Sequence, residues 1–159
     1  KHFPGLGATT LDSHLDLPRL TGEPTALAAD LYPFQQAVAA GVPGLMVAHV
    51  VVEAWGELPA SLSPRAVAQV LRHQLGFQGL VFSDDLEMGA IRNHWPLRTA
   101  ARLGVLAGLD QLLICEQVAE VAAVIAALEK EPELYPHLTR ARNRLLHLKK
   151  NLGNGYPSH

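Results

Sequence analysis

Short, nearly continuous apolar runs alternate along this chain with longer stretches in which apolar residues recur every three or four positions. Residues 30–40 put Leu31, Phe34, Ala37 and Val38 on one face and stop at Gly41, which predicts a helix closed by glycine. Residues 44–52, Gly-Leu-Met-Val-Ala-His-Val-Val-Val, are almost wholly apolar and end β-branched, the pattern of a strand buried on both faces. Ser63-Pro64 supplies an N-cap residue before a first-turn proline. Val67, Val70, Leu71 and Leu75 then follow at helical spacing up to Gly76. Residues 79–83 read as a strand, 96–107 as a helix, 110–115 as a strand and 117–130 as a helix. A last helix over 133–151 carries Leu138, Ala141, Leu145 and Leu148 on one side, and 153–159 reads as a frayed tail outside a domain spanning 1–152.

The order α, β, α, β, α, β, α, with short connections, argues for an α/β fold of parallel βα units. Three strands make a poor sheet, because both faces are apolar and at least one edge leaves backbone groups unpaired. The expectation is therefore that something completes it, either a missing amino-terminal segment or, less simply, a second copy. The opening residues from Lys1 look like the loop that follows a strand, so the chain is expected to be the carboxyl-terminal part of a larger protein.

Composition narrows the partners. A length of 159 residues allows one domain, and 48% hydrophobic with 18% charged residues suits a globular core. Thirteen basic residues against 15 acidic ones give a formal charge of -2, so no broad positive field favours nucleic acid or anionic lipid, and a neutral substrate fits better. No segment reaches the ~18 apolar residues of a membrane span, and no basic-then-apolar leader precedes the first loop, so neither membrane insertion nor export is expected. Cys115 has no internal partner and sits in an apolar run, which predicts a buried, inert thiol in a reducing compartment.

The chemistry concentrates in two places. Residues 76–88, Gly-Phe-Gln-Gly-Leu-Val-Phe-Ser-Asp-Asp-Leu-Glu-Met, run an apolar strand straight into Asp84 and Asp85, and the carboxyl ends of parallel strands line ligand crevices. Neighbours on a strand point to opposite sides, so one carboxylate acts and the other supports, unless both simply cap the next helix. The opening loop, residues 1–14, brings Lys1, His2, Asp12 and His14 with a turn-prone glycine content. Asp12 and His14 project the same way from an extended loop, where a carboxylate orients an imidazole for proton transfer or merely makes a loop hydrogen bond. His49 reads more readily as a bonded core histidine than as a ligand, and Trp55 and Trp95 as packing aromatics rather than sugar platforms. A metal site built from His2, His14, His49, Asp12 and Asp84 is the competing set. Neither a His-x-His pair nor a His-Glu-x-x-His run supports it.

Taken together, these motifs resemble glycoside hydrolase family 3, in particular its NagZ-type bacterial β-N-acetylglucosaminidases. The match rests on Lys-His-Phe-Pro-Gly at 1–5, Asp-Ser-His at 12–14, Ala-His-Val at 48–50, Leu-Ser-Pro-Arg from Leu62, Gly-Phe-x-Gly-Leu-Val-Phe-Ser-Asp-Asp-Leu-x-Met from Gly76, and Ala-Gly-x-Asp at 107–110. It covers residues 1–116 well and the final helices loosely. One position departs from the family pattern: the usual Pro-Gly-His-Gly reads Pro4-Gly5-Leu6-Gly7.

The resemblance implies a TIM-type (β/α)8 barrel, of which this chain carries roughly the last three strands with their helices. It implies retaining hydrolysis of terminal β-linked N-acetylhexosamine with Asp84 as nucleophile, Asp12 and His14 as the acid/base dyad, and Lys1 and His2 on the sugar hydroxyls. It implies no cofactor, no metal, an N-acetylglucosamine-containing muropeptide substrate and a cytoplasmic setting in cell-wall recycling. The alternatives are an inactive fragment or assembly module of such a barrel, which pairs with its missing half or with itself, and a metal-dependent barrel hydrolase.

Overall fold

A computed structural model describes residues 1–153 except positions 8, 10, 22 and 23. Its centre is a parallel sheet of β2 (Gly44–Val47), β4 (Leu80–Asp85) and β5 (Gln111–Leu113), in the order β2-β4-β5. Phe3 adds a parallel bridge beside Val47: its N–H donates to the Met46 carbonyl, and its own carbonyl accepts from the Ala48 N–H. The opening residues thus occupy one further strand position next to β2. A separate two-stranded ribbon joins β1 (Arg19–Leu20) to β3 (Val51–Val52).

Helices cover one face of the sheet. α1 (Pro24–Ala39) and the helix Arg65–Gln74, wound in the wider π form, close a core around Phe3, Phe34, Leu45, Val47, Val67, Leu71 and Val81. A second cluster joins α3 (Leu97–Ala107) to α4 (Val118–Leu128) through Leu62, Ile91, Val105, Val124 and Leu128. α5 (Tyr135–Gly153) completes the set after a single 3-10 turn. The Arg65–Gln74 helix starts where its sequence says it should: the Ser63 hydroxyl accepts the Ala66 N–H at 3.3 Å, and the chain leaves the helix through Gly76 at φ +72°.

A buried charge cluster ties these layers together. Asp110, just ahead of β5, accepts from Arg72 and Arg144 and from the Val81 N–H at 2.9 Å. The Arg72 guanidinium also donates to the Phe77 and Gly79 carbonyls, so one carboxylate fixes the start of β4 against two helices.

Four expectations change. The 44–52 run is not one strand: β2 ends at Val47, and the chain turns at Ala48 and His49 before β3. Nor is it buried on both faces. Leu45, Val47, Val81 and Ser83 are covered, while Gly44, Met46, Phe82 and Asp84 stay half-exposed. The strand 79–83 extends through Asp85, so both carboxylates lie on β4 itself. Cys115 is exposed rather than buried, because β5 stops at Leu113 and the thiol lies past the strand end. Partial desolvation and the nearby Asp85, Glu87 and Asp84 carboxylates push that thiol up from its ordinary value. The expected tail falls mostly outside the described residues: α5 reaches Gly153, and 154–159 are not described.

Candidate active site

Parallel strands put their carboxyl ends on one rim, and the polar groups gather there. A cleft of about 350 Å³ is lined by His2, Asp12, His14, His49 and Asp84, with Leu6 on its wall. A hollow of 360 Å³ at the opposite ends of the strands, between Pro43, Phe77 and Leu148, contains no carboxylate and is poorer in chemistry.

Asp84 is held at one oxygen and open at the other. Its Oδ1 accepts the Asp85 N–H at 3.0 Å, and its Oδ2 lies 3.6 Å from His2 Nε2, with 22% of the side chain exposed. Partial burial moves His2 below its ordinary value, with Asp84 opposing and Lys1 reinforcing the shift. Asp85 does not line the cleft. Its Oδ1 accepts the Glu87 N–H, and its carbonyl accepts from His49.

Asp12 and His14 form a closed unit. Asp12 Oδ1 accepts both the His14 backbone N–H and the ring Nδ1–H, each at 2.9 Å. The backbone bond first, and then the ring bond, holds the Asp12 carboxyl below the usual carboxylate range. With Nδ1 committed, Nε2 is the nitrogen left to exchange a proton, and the His14 side chain is 74% exposed toward an incoming ligand.

His49 is 1% exposed and has both ring nitrogens satisfied, by Ser61 Oγ at 2.7 Å and the Asp85 carbonyl at 2.8 Å. Burial pushes the ring below its ordinary value. Trp55 stacks on Phe3, and Trp95 packs against the α3–α4 core, so both act as packing aromatics. Lys1 is not in the cleft. It faces a hollow of about 340 Å³ on the half-exposed sheet face with Met46, Phe82 and Leu148. The competing metal set is not assembled, for among the described residues no three His, Cys, Asp or Glu side chains converge as ligands.

Sequence reasoning missed two features of the site. Glu87, 5% exposed, accepts the Glu116 and Gln117 N–H groups and so pins the loop after β5; only its place just beyond the Asp-Asp pair hinted at this. The short α2 (Gly89–Arg92) receives the loop that carries Asp12 and His14, and four residues are too few to show a periodic pattern.

The family described as "Glycosyl hydrolase family 3 N terminal domain" matches residues 1–148. A beta-hexosaminidase of Alkalilimnicola ehrlichii is 42% identical over 146 residues, which cover 91% of this chain and 42% of that protein. A second, from Thioalkalivibrio sulfidiphilus, is 41% identical over 133 residues, 84% of this chain and 38% of its own length. Among solved structures, a family 3 beta-N-acetylglucosaminidase from Paenibacillus superposes with a TM-score of 0.87 at 36% identity, over all of this chain and 32% of the other. The chain thus spans less than half the length of these relatives. A family match over residues 1–148, with relatives above 40% identity across most of its length, means that the chain belongs to glycosyl hydrolase family 3.

Proposed function

We propose that this chain supplies the catalytic carboxylate and acid/base of a retaining exo-β-N-acetylglucosaminidase, as roughly the last three strands of a TIM-type barrel. The observation that carries the reading is that Asp84 and the Asp12–His14 unit, far apart in sequence, line one cleft at the carboxyl ends of parallel strands. In the first step Asp84 attacks the anomeric carbon as the glycosidic C–O bond breaks, and His14 Nε2–H gives its proton to the leaving oxygen. In the second, His14 Nε2 takes a proton from water, the hydroxide oxygen bonds to the anomeric carbon, and the Asp84 ester bond breaks. Two inversions return the original configuration. Asp12 keeps the ring oriented and its Nδ1 occupied throughout.

His2, close to Asp84, is suited to hold a sugar hydroxyl. Lys1 would do so from the half-exposed sheet face, which in a closed barrel is the interior. N-acetylglucosamine-containing muropeptides are the proposed substrates and cytoplasmic cell-wall recycling the proposed setting, following the family resemblance.

A second reading, an assembly module inactive by itself, has its own support. Met46 and Phe82, partners in register, leave an apolar face half-exposed, and such a face needs further strands or a second copy to cover it. Hydrolysis of a chromogenic N-acetyl-β-glucosaminide by the chain, with and without an amino-terminal half from a relative, separates the two. Activity only with the added half supports the partial-barrel reading, and Asp84→Asn should then abolish turnover. Folded, inert protein in both preparations would remove the assignments of Asp84 and His14.

A further inference from the structure

The loop bearing Asp12 and His14 is fastened by four hydrogen bonds to α2 and the turn that follows it, Asn93 and His94. The Ala90 N–H donates to the Ser13 carbonyl at 3.0 Å and the Gly89 N–H to the His14 carbonyl at 3.2 Å. Asn93 Nδ2 donates to the Leu15 carbonyl at 2.9 Å, and His94 Nε2–H to Asp16 Oδ1 at 2.6 Å. The first two use N–H groups that a helix start leaves without internal partners, so the loop serves as the cap of α2. α2 in turn is tied to β4, for Met88 N–H donates to the Asp85 carbonyl. Besides the tie that Phe3 makes to β2, the segment bearing Asp12 and His14 is therefore joined to the strand carrying Asp84 through one short helix and the turn after it.

We infer that Asn93 and His94 are positioning residues for the Asp12–His14 pair: they hold its loop at a set place relative to Asp84. This rests on the function proposed above. Neither side chain lines the cleft, so both act through the loop backbone and Asp16. An exposed contact such as His94–Asp16 is weak alone, and the hold comes from it acting with the Asn93 and main-chain bonds.

The test compares Asn93→Ala/His94→Ala with Asn93→Ala/His94→Gln, which keeps one side-chain donor, in a full-length protein containing this segment. Amide exchange at Gly89 and Ala90 is read first, since it requires no catalysis. The double alanine variant should exchange faster at these two amides, with the core unchanged. Its kcat/KM on an alkyl or sugar leaving group should fall roughly 10- to 100-fold, while a dinitrophenyl leaving group, which needs no acid, should change less than about twofold. The glutamine variant should recover part of the loss. Unchanged exchange, or equal loss on both leaving groups, overturns the inference. Asp84→Asn on the same preparation isolates the parent reading: if that variant still turns over, the catalytic assignment fails, while the exchange result continues to judge the latch.

Discussion

His49 donates its Nε2–H to the main-chain carbonyl of Asp85 at 2.8 Å, so a buried imidazole fixes the backbone one residue past Asp84. A carbonyl only accepts, which settles the tautomer: Nε2 carries the proton, and Nδ1 accepts from the Ser61 hydroxyl. His49→Ala should leave the Ser61 hydroxyl without its partner in the interior, reduce the Asp85 carbonyl to its bond from the Met88 N–H, and open a cavity, at a cost of about 2–4 kcal/mol. Denaturant midpoints at constant slope measure it. A loss below about 0.5 kcal/mol would mean that water replaces the ring without penalty.

The same burial sets a pH dependence. The folded-state value of His49 lies below its ordinary 6.5, so on acidification the unfolded chain takes up a proton that the folded chain refuses. Its stabilising share is complete above pH 6.5 and declines as the pH falls toward the folded value. His2 and His137 are lowered as well and act in the same direction. Asp12 and Asp16 are lowered carboxylates, whose share persists through that window and is lost only at more acid pH. Stability should therefore fall between pH 7.5 and 5.5, and less steeply in His49→Asn. Parallel slopes for the two proteins would assign the pH dependence to other groups.

Asp110 is the point where removing one side chain should do most damage to the fold. It is buried beneath two guanidinium groups and the Val81 N–H, so Asp110→Ala strands Arg72 and Arg144 without a counter-charge. Breaking one partner out of a buried ion pair costs about 3–5 kcal/mol. Thermal unfolding at neutral pH checks it, and Asp110→Asn, which keeps an acceptor for Val81, should lose less.

The strands and helices with many apolar positions were legible because burial imposes a period on the sequence. β4 and the Arg65–Gln74 helix lie close to their expected places for this reason. The Asp84–Asp85 pair stood out because it follows an apolar strand directly, and the structure lines the cleft with Asp84 while Asp85 lies outside it. What escaped depends on contacts between distant segments. α2 has four residues and no period, and its grip on the 13–16 loop uses main-chain carbonyls that any residue would supply. The expected burial of both sheet faces failed on Met46 and Phe82: their hydrophobicity records that a covering is wanted, while the sequence pattern is silent on what provides it.

Gly89 decides how closely the loop bearing Asp12 and His14 can approach α2. An ideal Cβ there would sit 2.5 Å from both the His14 and Leu15 carbonyl oxygens, and 2.7 Å from the Leu15 carbonyl carbon. Alanine in place of glycine favours an isolated helix by about 1 kcal/mol, so propensity alone makes Gly89→Ala stabilising. The clash should prevail because the opposing atoms are backbone and cannot swing aside as a side chain would. At Gly104 in α3, by contrast, a Cβ meets only the ends of Leu109 and Leu112 at 3.1 Å, and Gly104→Ala should be accommodated. Gly89→Ala is therefore expected to push the loop off α2 and to speed exchange of the Ala90 amide that donates to Ser13. The sheet should remain intact, since no strand of the central sheet relies on that contact. Amide exchange read residue by residue, with Gly104→Ala alongside, measures this. If Gly89→Ala raises stability and leaves the Ala90 amide as protected as before, the close approach of loop and helix is not required.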